Sequence, residues 1–243
     1  MKQPSLLRRT GAELIGVYAL VTAGCGAVVV NSETGALGHV GIALTFGLVI
    51  AVMVAATGHL SGAHLNPAVT VAFALTRHFP WREAAAYIGG QLIGAVVGGL
   101  TLLGLFGPVA NLGATMPSGG WMQSLLLEVL LTAVLMFVII AVATDTRAVG
   151  ETAALAIGFT VALDALWGGP ISGASMNPAR SFGPALIAGA WQAHWIYWVG
   201  PVIGAALGAL AYQWVRVPGV EPVRATEHSD VETAASAQPQ AGN

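Results

Sequence analysis

Charge is scarce in this sequence. Lys, Arg, Asp and Glu make up 8% of its 243 residues, against about a quarter in ordinary soluble domains, so a charged globular surface is excluded. The net charge of −2 leaves no basic patch for nucleic acid, and no nucleic-acid partner is expected. With one cysteine no internal disulfide can form, and Cys25, inside an apolar run, reads as a small packing residue. No pairing of Ser with His, or of two Asp, stands out at the spacing an intramembrane hydrolase would need. The chain is therefore read as not an enzyme, with no catalytic residue, metal or cofactor.

What is abundant is apolar sequence, 56% of the chain, gathered in runs over 14–30, 40–57, 84–107, 129–143, 152–170 and 195–215. Each is close to the roughly 20 residues that cross a bilayer as a helix, with the fifth marginal. Runs of this length exclude a β-barrel, whose strands are about ten residues with alternating polarity. The fold class is an all-α membrane protein of six spanning helices, the first beginning around Gly11. With a cytoplasmic N-terminus, Lys2, Arg8, Arg9, Arg77, Arg82, Arg147, Arg216 and Arg224 all fall on the cytoplasmic side, as the positive-inside rule asks. Arg180 is the basic residue left over. Basic residues before an apolar run also describe a secretory signal, but this run is longer than a signal core and completes a repeat, so it reads as a retained helix. Residues 1–10 are then a cytoplasmic N-terminus, and 217–243, rich in Pro, Glu, Thr, Ser and Ala with no apolar face, a disordered cytoplasmic tail.

One stretch occurs twice, SGAHLNPAV at 61–69 and SGASMNPAR at 172–180. Asn66 and Asn177 fit the N-cap position and Pro67 and Pro178 the first helical position, with Ala68 and Ala179 following. Such a cap leaves the amide NH₂ free as a donor pair beside the positive end of a helix dipole. The ten residues from Pro67 to Thr76 make about 15 Å of helix, half a hydrocarbon core. Such a helix can dip to the midplane and return, provided its irregular backbone lies against protein or a water-filled cavity. The second half-helix runs from Pro178 to about Ala188, from the outer side. YIGGQLIGAVVGGL at 87–100 matches YWVGPVIGAALGAL at 197–210, and Glu13 matches Glu128. Three spans per repeat invert the second copy, over about 11–107 and 121–215, so the half-helices meet N-terminus to N-terminus. Glu13 and Glu128 then accept hydrogen bonds from otherwise unpaired loop N–H groups. If they carried protons instead, the protein would be a coupled transporter. His64 either lines the cytoplasmic half of a pore or ties down its loop, and His59 is a loop residue. Asp164 is read as a residue near the outer interface, the alternatives being a bond to the external loop or an approach to Arg180.

With these motifs in place, the sequence resembles the aquaporin, or major intrinsic protein, family over 11 to about 216. The resemblance implies a right-handed six-helix bundle with two re-entrant half-helices, one pore per subunit, and a homotetramer in the plasma (inner) membrane with both termini cytoplasmic. By it, Asn66 and Asn177 match the paired pore asparagines, and Phe46, Ala165, Ala174 and Arg180 the selectivity filter, with Ala165 standing where strictly water-selective members have His. Ser181, Ala185, Tyr197 and Trp198 resemble the water-channel branch, while SGASMNPARSFGPA resembles the plant nodulin-like branch as well. The implied function is a passive channel for water and small uncharged solutes that excludes protons and ions. The alternative is a glycerol or metalloid-acid facilitator in which water is secondary.

Overall fold

The computed structural model describes residues 4–145 and 152–216. Arg147, the tail 217–243, Lys2 and Arg224 lie outside the described residues. Six spans are long and apolar enough to cross a membrane. The first is composite: α1 (Leu6–Leu20), a π-helical turn (Val21–Cys25) and α2 (Gly26–Thr34). It starts at Leu6 and not around Gly11, because Arg9 is buried and its Nη1 donates to Glu83 Oε2 at 2.7 Å, which carries the helix past Gly11. After it come α3 (Gly38–Ser61), the half-helix α4 (Pro67–Leu75), α5 (Trp81–Phe106), α6 (Trp121–Thr144), α7 (Ala153–Ser172), the half-helix α8 (Pro178–Ala188) and α9 (Ile196–Val215). Pro170 removes a donor within α7; Leu166 O, which it would have served, lies 2.6 Å from His39 Nε2.

Small residues set the close packing. A Cβ on Gly94 would strike Leu14 O of α1, and one on Gly204 would strike Val129 O of α6. With Gly90 and Gly98, and Gly200 and Gly208, these form the same small-residue stripe at every fourth position on α5 and α9. In a bilayer, where tails are as apolar as Leu, such close backbone approach is what holds helices together. The repeats meet at α3 and α7: Gly47 packs on Gly158 and Ala51 on Gly158, while Ala162 packs on Gly47. Gly47 and Gly158 occupy equivalent positions of the two repeats, so the crossing lies on the pseudo-two-fold axis.

Candidate functional site

Each half-helix opens as its sequence dictates. Asn66 Oδ1 accepts from Ala68 N at 2.9 Å, and Asn177 Oδ1 accepts from Ala179 N and Arg180 N at 3.0 and 3.2 Å. The amides then cross over: Asn66 Nδ2 donates to Met176 O at 2.7 Å, and Asn177 Nδ2 donates to Leu65 O at 2.8 Å. The two helix N-termini therefore face each other at atomic contact. An expectation changes here, since the NH₂ groups are not wholly free. One hydrogen of each ties down the opposite loop and the second remains for a ligand.

The loops behind the asparagines are strained at matched positions. Ala63 and Leu65 in one, Ala174 and Met176 in the other, take positive φ between 42° and 53° without being glycine. A carboxylate holds each loop. Glu13 accepts from Ser61 Oγ (2.7 Å), His64 N (3.0 Å), Leu65 N (2.6 Å) and Gln91 Nε2 (2.7 Å). Glu128 accepts from Ser172 Oγ (2.7 Å), Ser175 N (2.8 Å) and Met176 N (2.8 Å). Each bond contributes about 0.5–1.5 kcal/mol net, and three or four of them together are enough to offset the strain. Tyr87 and Tyr197 complete the clamps, donating to Ser61 O at 2.9 Å and Ser172 O at 2.7 Å. Sequence reading passed over these hydroxyls, although the match of 87–100 with 197–210 begins at those tyrosines.

A cavity of about 440 Å³ runs past both loops and is lined by Asn66, Asn177, Phe46, Ala165, Ala174 and Arg180 together. Pro67, Ala68, Pro178 and Ala179 are buried behind the asparagines. Arg180 is 4% exposed, with Cζ 4.7 Å from the centroid of the Phe46 ring. Its Nη1 donates to Gly113 O at 2.9 Å, and its Nε has no hydrogen-bond partner among the described residues. Gly113 was not legible as a partner, because it closes an irregular external turn over Ala110–Gly113. His64 borders the cavity and is also tied down: Nδ1 lies 3.1 Å from Thr70 Oγ1, and the ring stacks on Phe73. His59 belongs to the last turn of α3, not to a loop, and borders the cavity as well. Asp164 is buried on α7 beside Trp167, away from the cavity lining. Among the described residues no cluster of His, Cys, Asp or Glu is placed to hold a metal ion.

The family model described as Major intrinsic protein matches residues 1–212, a stretch that includes both capped half-helices. The chain belongs to the major intrinsic protein family. Among curated members it is 53% identical over 207 residues to aquaporin NIP1-1 of Oryza sativa subsp. japonica, covering 84% of this chain and 73% of that one. It is 46% identical over 215 residues to aquaporin NIP6-1 of Arabidopsis thaliana, covering 88% and 70%. Among solved structures it is similar to the aquaglyceroporin from Plasmodium falciparum, with TM-score 0.79, 25% identity, and coverage of 87% of this chain and 97% of that one. The family fold, six spanning helices with two half-helices between them, is the fold described above.

Proposed function

We propose that the protein is a passive channel for water and small uncharged solutes, with Asn66 and Asn177 at the centre of the pore and Phe46, Ala165, Ala174 and Arg180 as its filter. The observation that carries this is the crossed pair of asparagine amides inside a continuous cavity. Each amide has one N–H left over, so a water at the junction is held by two donors from opposite sides. Both lone pairs are then engaged and its hydrogens point away along the pore, which breaks the hydrogen-bonded wire a proton would follow. The facing helix N-termini, each equivalent to roughly half a positive charge, repel hydronium and other cations. Water entering a low-dielectric interior needs replacement hydrogen bonds. The loop residues Ala63, His64, Ala174 and Ser175 border the same cavity, and their backbone carbonyls can supply acceptors. No bond is made or broken. Glu13 and Glu128 serve as loop anchors, every bond they make being accepted from the protein itself, and that favours a channel over a proton-coupled transporter.

The solute range follows from Ala165. A methyl where the family's water-selective members carry an imidazole widens the filter and removes a donor, so solutes such as glycerol, urea, ammonia or an undissociated metalloid acid pass with water. The names of the curated relatives, aquaporins of NIP type, support the same reading. The channel body spans 11–216 and assembles as a homotetramer in the plasma (inner) membrane. Both termini are cytoplasmic, with Arg8, Arg9, Arg77, Arg82 and Arg216 facing that side. The test is stopped-flow flux into proteoliposomes with a panel of these solutes, comparing wild type with Ala165→His. Solute permeability should fall relative to water in the variant, and unchanged ratios for every solute would remove Ala165 from the filter.

A further inference from the structure

The first span contains the one π-helical turn among the described residues, Val21–Cys25, and it sits against the filter. A π-turn inserts one residue into an α-helix and so rotates the succeeding turns by about 100°. Two neighbours of the filter come from this turn. Gly24 lies under the ring of Phe46: a Cβ built on Gly24 would stand closer than 3.0 Å to three atoms of that ring. Cys25 lies under Gly113: a Cβ on Gly113, whose φ is +70°, would come closer than 3.0 Å to the Cβ, Cα and O of Cys25. Gly113 O is the acceptor that holds Arg180. The turn thus supports both walls of the filter, the aromatic through Gly24 and the cation through Cys25 and Gly113. The matching span of the second repeat, α6, runs uninterrupted from Trp121 to Thr144 and faces no such pair.

We propose that Gly24 is a specificity-determining residue: the missing side chain lets the Phe46 ring sit back against the π-turn, and this sets how far the ring, packed on Arg180, reaches into the passage. A side chain at position 24 must displace the ring. Its centroid stands 4.7 Å from Arg180 Cζ, in contact, so the displaced ring has no room toward the guanidinium and moves into the cavity that both residues line, which narrows the passage. Gly24 itself is buried and does not line the cavity, so it acts through Phe46 as a positioning residue. The inference rests on the channel reading above.

The test is a double-mutant cycle read as the glycerol-to-water permeability ratio in proteoliposomes, using wild type, Gly24→Ala, Phe46→Ala and the double variant. In the wild-type background Gly24→Ala should lower the ratio about tenfold, the low end of what one methylene does in a fitted passage. In the Phe46→Ala background it should change nothing, because the ring it would push is gone. An unchanged ratio in the first case, or an equal loss in both backgrounds, overturns the proposal, the latter because the defect would then lie in the helix and not in the ring. If Gly24→Ala does not fold while the double variant does, collision with the ring is established by that rescue. If neither folds although Phe46→Ala does, the need for glycine has another source and the proposal fails. Wild-type vesicles no more permeable than empty ones would instead sink the channel reading itself.

Discussion

The two halves of the cavity are built alike and lined differently. In both, a Glu from the first span of the repeat, a Ser hydroxyl, a Tyr hydroxyl and an Asn cap fix a strained loop at the mouth of a half-helix. The positions that carry the outer filter have inner counterparts 111 residues away: Ile157 for Phe46, Val54 for Ala165, Ala63 for Ala174 and Val69 for Arg180. All eight residues line the cavity. At these four positions one end thus has an aromatic ring facing a guanidinium, while the other has only aliphatic side chains. The shared frame is scaffolding that any solute would need, and the proposed selectivity rests on what the repeats do not share. The outermost clamps differ too. Inside, Gln91 of α5 bridges Glu13 and Thr70, at 2.7 and 3.0 Å. Outside, Thr70's counterpart Ser181 bonds Ser175 and, at 2.6 Å, Thr115 of the external segment. A long helix therefore braces the first loop, and the segment that precedes α6 braces the second.

The most forceful way to break this asymmetry is Arg180→Val, which gives the outer end the residue of the inner one. A unit charge acting on a cation at about 4 Å contributes on the order of 4 kcal/mol at an effective dielectric constant near 20. Cation or proton leak across proteoliposomes should therefore rise at least about tenfold, with water flux retained; an unchanged leak would shift the exclusion entirely to the asparagines. Next come the anchors. Glu13→Gln and Glu128→Gln each place an amide NH₂ against loop donors, at about 1–3 kcal/mol per donor left unsatisfied. Glu13 accepts one bond more, from Gln91, so its variant should show the larger fall in thermal stability in detergent. Equal losses would mean that the inner brace contributes nothing.

The sequence made the scaffold legible because its chemistry is written twice: the Ser-Gly-Ala and Asn-Pro-Ala units recur 111 residues on, and Glu13 has a partner, Glu128, at the matching place in the first span of the second repeat. Arg180 stood out as the one basic residue away from the cytoplasmic side. The filter's supports were not legible for the complementary reason. Gly24 and Cys25 owe their position to a π-turn, which leaves no periodic signature. Gly113 acts through its backbone carbonyl, which no residue type reports. The start of α1 at Leu6 depends on the ion pair of Arg9 with Glu83, 74 positions apart in sequence. The amide cross-bonds were likewise hidden, since capping chemistry alone predicts both hydrogens of each NH₂ free.

The smallest expected effect sharpens the comparison at the external brace. Thr115→Val keeps the shape of a residue that is 2% exposed and removes the hydroxyl bonded to Ser181. A loss of about 1 kcal/mol in stability is expected, together with a modest change in the solute-to-water ratio that Thr115→Ser restores. The same ratio in Thr115→Val and wild type would show that the backbone contact at Gly113 suffices to hold the filter.

The central claim is that water crosses between two opposed asparagine amides while protons do not. It is tested most directly by proteoliposomes carrying an internal pH dye, with osmotic water flux and proton flux followed in the same vesicles over a range of temperatures. The account expects water flux well above that of empty vesicles, with the low activation energy of an open path, and no proton entry beyond the lipid background. Water flux no greater than in empty vesicles, or proton entry that rises with it, would contradict it.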